Sequence, residues 1–203
     1  INGKPLDSPE FLPLWEKMAK YNLPIYIHPW RSNDFADYPV EKNSKYAIAS
    51  TFGWPYETTV AMARFVFSGI LEKHPNLKIV THHCGGMVPY YQERIYQHYG
   101  TASMHSGEGS SFIRALSQAP LEYFKKFYND TAIHGNTNAL MAAYDLCGAD
   151  HIVFGADMPL GDHYFGTRSY RQTIKAIENM QITPEEKRKI FVDNALDLLR
   201  IPV

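Results

Sequence analysis

Hydrophobic positions in this chain fall into two kinds of run that alternate from end to end. Short unbroken runs of the buried-strand type cover Pro24 to His28, Leu77 to His83 and Ile152 to Asp157, and a weaker one covers Phe127 to Ala132. Between them the apolar residues return at helical spacing. Phe11, Leu14, Trp15 and Met18 mark a helix over Ser8 to Tyr21, and Val60, Ala63, Phe67 and Ile70 share one face of a helix over Glu57 to Lys73. Further helices are expected near Asn138 to Cys147, ending at Gly148, from about Arg168 to Met180, and from Pro184 to Leu199. The last is opened by Thr183-Pro184-Glu185-Glu186, a capping box with proline at the first helical position.

Four strand-helix units in succession predict a parallel sheet, because a crossover helix is the usual link between parallel strands. A closed barrel of this kind needs eight units and about 250 residues, so the expected fold is α/β, a TIM-type (β/α)8 barrel represented by about four units of its second half. A small open sheet is the alternative at this level. Residues 1–203 read as a single domain that lacks its N-terminal strands, with Gly100 to Ser111 as a polar, glycine-rich loop or lid.

Composition narrows the function. Lys and Arg number 20 against 21 Asp and Glu, so nothing in the charge favours a nucleic acid or an anionic membrane. No run approaches the ~20 apolar residues of a membrane span, and the first ten residues lack the apolar core of a signal peptide. Two cysteines, Cys84 and Cys147, are too few for a disulfide framework and suit a reducing compartment. The expectation is a cytoplasmic protein that acts on a small molecule.

The strand-like runs end on residues that bind metals: His28, the pair His82-His83, and Asp157. Each is followed by turn residues (Pro29, Gly85-Gly86, Pro159), so each stands where the chain leaves a strand, at the carboxyl rim where β/α barrels carry their sites. Strand alternation allows only one of His82 and His83 to face inward. His83 is the choice, because it precedes Cys84-Gly85-Gly86, where backbone can approach a ligand closely; His82 is then a packing residue or one that supports the ligands from behind. Two imidazoles and a carboxylate suit zinc or manganese, and Asp157 is also able to move a proton. His134 follows the third strand on the same rim and is a candidate substrate contact. Arg94 offers a fork to a carboxylate or is a helix-surface arginine. Trp54 belongs to an aromatic cluster (Trp30, Phe35, Tyr38, Tyr46, Phe52, Trp54, Tyr56) dense enough to line a pocket for a planar substrate or to form a subunit interface.

Taken together, Ile27-His28-Pro29-Trp30, Gly53-Trp54-Pro55-Tyr56-Glu57-Thr58-Thr59, His83-Cys84-Gly85-Gly86-Met87-Val88-Pro89 with Arg94 following, Gly155-Ala156-Asp157-Met158-Pro159-Leu160-Gly161 and Asn194-Ala195-Leu196-Asp197-Leu198-Leu199 resemble the decarboxylase branch of the amidohydrolase superfamily over essentially the whole chain. The resemblance implies a distorted (β/α)8 barrel with one divalent metal, zinc first and manganese second, held by His28, His83 and Asp157. It implies Asp157 as proton carrier, and Arg94 reaching a substrate carboxylate across a dimer interface, hence a homodimer or higher homo-oligomer. The activity implied is non-oxidative decarboxylation of an unsaturated or aromatic carboxylic acid. Hydrolysis of an ester, lactone or amide and a catalytically incomplete half-barrel scaffold are the alternatives. Relatives supply two more ligands from a His-x-His pair, which this chain lacks, so the missing pair is expected upstream of Ile1.

Overall fold

A computed structural model describes residues 1–99, 116–159 and 167–202. Its sheet has four parallel strands, β1 (Pro24–Ile27), β2 (Lys78–Thr81), β3 (Tyr128–Asp130) and β4 (Ile152–Val153), lying side by side in chain order. The strands are shorter than the apolar runs that announce them. The chain enters the left-handed region soon after three of them: His83, Cys84, His134 and Asp157 have φ of 55°, 55°, 50° and 58°. The register Tyr26↔Val80↔Tyr128 and Thr81↔Asn129↔Ile152 sorts the side chains into two faces.

One face, carrying Ile25, Ile27, Ile79 and Ile152, is covered by helices. Against its first half lie α1 (Leu12–Tyr21), α2 (Trp54–Phe67), α3 (Ile70–Lys73), α4 (Gln92–Tyr99) and α5 (Pro120–Phe124), which bury Trp15, Met62, Phe65, Phe124 and Phe127 in one cluster. Against its second half lie α6 (Thr137–Cys147) and α7 (Thr167–Glu178), with Leu140, Ile177, Met180 and Ile190 in another. Val80, Tyr128 and Val153 look the other way, where Leu198 covers them and Tyr26 is exposed. Leu198 comes from the end of the chain, α8 (Pro184–Arg188), a wider turn over Lys189–Asp193, and α9 (Asn194–Leu199).

Two helical expectations change in detail. The helix over Glu57 to Lys73 begins earlier, at Trp54 with Pro55 in its first turn, and breaks at Gly69, whose φ of 75° no regular helix accepts. Its most buried residues are Met62, Phe65 and Val66, with Ala63 and Phe67 half-buried beside them. Leu14 of the first helix is exposed, and Ala19 takes its place beside Trp15. The capping box is present as read: Thr183 Oγ1 accepts from the Glu186 N–H at 3.2 Å and Glu186 Oε2 from the Thr183 N–H at 2.8 Å. Gly100 to Ser111 lies outside the described residues. Among the described residues no helix is long and apolar enough to cross a membrane.

Candidate metal centre

The carboxyl ends of the strands bring three imidazoles together. His28 stands one residue past β1, and His82 and His83 directly past β2. Strand alternation does not separate the last two, because β2 ends at Thr81 and the chain then runs through four consecutive left-handed residues, His83 to Gly86. That turn swings His83 onto the rim beside His82, which is therefore part of the cluster and not a residue packed behind it. Gly85 makes the turn feasible: with φ of 77°, a Cβ there would lie 2.6 Å from the Asn129 Oδ1.

One ring nitrogen from each of His28, His82 and His83 lies within 4.8 Å of the others. The ring centroids are 4.6 Å apart for His28 and His82, 4.3 Å for His82 and His83, and 5.5 Å for His28 and His83. His83 Nδ1 is buried and has no hydrogen-bond partner among the described residues. Burial, with the neighbouring His82 adding to it, pushes His83 down to about 4, so its ring is neutral at pH 7 and keeps a lone pair. A buried imidazole nitrogen without a partner beside two others is a donor set that fits a divalent transition metal.

Two carboxylates flank His82. Its Nδ1 is paired with Asp130 Oδ2, and its Nε2 lies 3.2 Å from Asp157 Oδ1. Burial lowers the affinity of His82 for a proton, but the two carboxylates outweigh it and raise the pKa above the ordinary histidine value. Asp157 thus reaches the cluster through His82. On the sequence alone His82 is weighed and set aside in favour of His83, and Asp130 is not singled out. Asp130 had the same signal as Asp157, a carboxylate at the end of a strand-like run, but Asn129 and Asp130 are poor strand formers and weaken that run.

The remaining sequence candidates divide. Trp54 stands in the site: its ring lies 6.0 Å from His83 at 29° and 5.6 Å from His28, while its Nε1–H donates to the Arg31 carbonyl at 3.2 Å. The other six aromatics of its cluster are each more than half exposed. Of these, Trp30 and Phe35 border a cleft of about 510 Å³ that opens beside His28. His134 is exposed on the turn after β3. Arg94 is exposed on α4 and lines a different cleft of about 440 Å³ with Tyr56, Phe67 and Tyr91, away from the imidazoles. Cys84 and Cys147 are free, and burial pushes both thiols up, the second to about 11. They are inert fillers of the core.

A family model described as amidohydrolase matches residues 1–201. Among curated relatives, 2-amino-3-carboxymuconate-6-semialdehyde decarboxylase of Dictyostelium discoideum is 28% identical over 98% of this chain and 51% of its own length. Gamma-resorcylate decarboxylase of Polaromonas sp. is 26% identical over 96% of this chain and 56% of its own. The solved structures that match include the Metarhizium anisopliae IDCase in its apo form (TM-score 0.79, 27% identity, 98% of this chain and 54% of that one). They also include the dihydroxybenzoic acid decarboxylase of Polaromonas sp. with bound manganese and 2-nitroresorcinol (TM-score 0.73, 25% identity, 97% and 55%). The chain spans about half the length of the curated relatives it matches, and its four strands have the parallel α/β fold of these amidohydrolase-type TIM barrels.

Proposed function

Because the chain belongs to the amidohydrolase family, we propose that it supplies the metal-binding rim of a non-oxidative decarboxylase of an aromatic or unsaturated carboxylic acid, within one barrel domain. The observation that carries this reading is the convergence of His28, His82 and His83 within 4.8 Å, with Asp157 against them. Curated relatives named as decarboxylases of carboxymuconate semialdehyde and resorcylate support the reaction class.

His28, His83 and Asp157 would hold the metal, with His82 beside them. When bound, a divalent ion acts as a Lewis acid toward substrate oxygens. Zinc is our first choice for an imidazole-rich set, and manganese, present in the related Polaromonas structure, is the second. Trp54 gives a flat apolar wall against which an aromatic ring can lie. Loss of carbon dioxide breaks a carbon–carbon bond and leaves its electron pair on the ring carbon, which then takes a proton. Our choice for the group that holds and moves that proton is Asp157, with His83 beside it in the catalytic set. His134 contributes a further polar contact on the rim. Arg94 is exposed and lines a cleft that includes none of the three imidazoles, so our reading is that it engages a carboxylate bound by a second copy in a homodimer or higher homo-oligomer. The two free thiols agree with a cytoplasmic location.

The test is incubation of the protein and manganese with a panel of hydroxybenzoates in deuterated water. Release of carbon dioxide, with deuterium at the vacated carbon, is the expected result. Solvent oxygen entering the product of an ester or lactone would instead make it a hydrolase, and absence of both metal binding and turnover would make it a scaffold.

A further inference from the structure

We propose that Asp130 is a positioning residue: it holds the His82 ring with Nδ1 as the proton donor, so that Nε2 and Asp157 Oδ1 are presented together as a pair of donors to one cation. The inference deepens the reading that this rim binds a divalent metal and rests on it.

Asp130 is 6% exposed and sits at the last position of β3. Its Oδ1 accepts two backbone N–H groups, from Cys84 at 3.0 Å and from Ala132 at 3.0 Å, and its Oδ2 takes the Nδ1–H of His82. The carboxylate therefore joins the end of β3 to the left-handed turn after β2. Those three contacts leave it little freedom to rotate, and Gly155 packs beside it where a Cβ would stand 3.2 Å from the Asp130 Cβ.

A neutral imidazole has one N–H and one lone pair. With the N–H spent on Asp130, only the lone pair of Nε2 remains, and it meets an oxygen of Asp157 at 3.2 Å. Two electron-pair donors facing each other at that distance repel unless a proton or a metal ion is shared between them, and once the ring has lost its second proton only a metal ion fills that place. Donors about 2.1 Å from a common ion stand about 3.0 to 3.4 Å apart, so the pair has the spacing of two neighbouring ligands. Carboxylates behind metal-binding histidines generally set the tautomer and raise the basicity of the ligating nitrogen. The same arrangement places His82 in the ligand set, a role that strand alternation denies it.

Asp130→Asn separates this role from a purely structural one. The amide oxygen can still accept from Cys84 and Ala132, so the turn is kept, but the amide nitrogen now donates to His82 Nδ1 and drives the ring proton to Nε2. Nitrogen-15 NMR of the metal-free protein at about pH 9, above the ordinary histidine range, should show the Nδ1–H tautomer for His82 in the wild type and Nε2–H in the variant. Calorimetric titration with manganese ion alone should show an affinity about 10- to 100-fold weaker in the variant, with a melting temperature close to wild type. A variant that keeps the wild-type tautomer or affinity overturns the proposal. So does an Nε2–H tautomer in the wild type, a measurement that stands even where the variant does not fold. Wild type that shows the Nδ1–H tautomer but binds no manganese would count against the proposed function and leave the role of Asp130 in place.

Discussion

Trp54 lies over His83 with ring planes at 29° and centroids 6.0 Å apart, and the imidazole it covers has a buried Nδ1 with no partner among the described residues. The buried ring titrates near 4, against about 6.5 in the unfolded chain. The unfolded state then binds the extra proton first, so the stabilisation is complete above about pH 6.5 and is lost as pH falls toward 4. His82 works in the opposite sense: its raised value adds stability that is complete below about 6.5 and is lost as pH rises through the folded value. We expect His83→Gln to flatten the acid-side fall in melting temperature of the metal-free protein between about pH 6.5 and 4. An unchanged pH profile in that window would show that His83 is not the group responsible.

Gly85→Ala should destabilise the protein by about 2 to 3 kcal/mol. The cost combines a left-handed backbone on a residue with a Cβ and the loss of the Thr81–Asn129 hydrogen bond, 2.7 Å long, as Asn129 is pushed aside. Urea denaturation measures it, and a change under about 0.5 kcal/mol would mean that the turn relaxes freely.

Asn194→Ala should cost about 2 to 4 kcal/mol. Its buried side chain donates to the carbonyls of Ala149 at 2.7 Å and Ile152 at 2.8 Å, pinning the C-terminal helix to the start of β4, and truncation strands both acceptors. Exposed Thr183→Ala at the capping box is the contrasting case, at about 1 kcal/mol. Equal losses in the two variants by denaturant titration would contradict this ranking.

Manganese should raise the melting temperature, by the equivalent of about 2.7 kcal/mol at a hundredfold excess over its dissociation constant, and a chelator should reverse the gain. His28 is exposed, so His28→Ala should leave the metal-free melting temperature within about 2 °C of wild type while removing the metal-dependent increment. Persistence of that increment in the variant would take His28 out of the ligand set.

Much of the architecture was legible because strand and helix periodicities differ so plainly. Ile25 and Ile27, Ile79, and Ile152 fall where a parallel sheet buries them, and proline, glycine and the Thr183 box mark the ends of helices. What the pattern could not carry is backbone handedness. Alternation is a rule about extended chain, and it stops applying where His83 turns left-handed, so it could not report that His82 and His83 share a rim. Asp130 was hidden by the opposite problem: a residue that disfavours strands can still be the last residue of one when its carboxylate has two backbone amides and an imidazole to bind. Arg94 was legible as a residue type but not as a location, since its position on α4 depends on how that helix turns relative to α2.

His83, Cys84, His134 and Asp157 all occupy a region of backbone space that suits glycine or asparagine better than histidine, cysteine or aspartate. Folding alone gives no reason for a histidine or an aspartate in that conformation, which agrees with the roles proposed for His83 and Asp157. The rim of this sheet and its helix-covered face therefore answer to different pressures. The face can drift among apolar residues of similar volume, whereas the strand ends trade a little stability for chemistry, so a search for more robust variants should begin in the core and leave the rim alone.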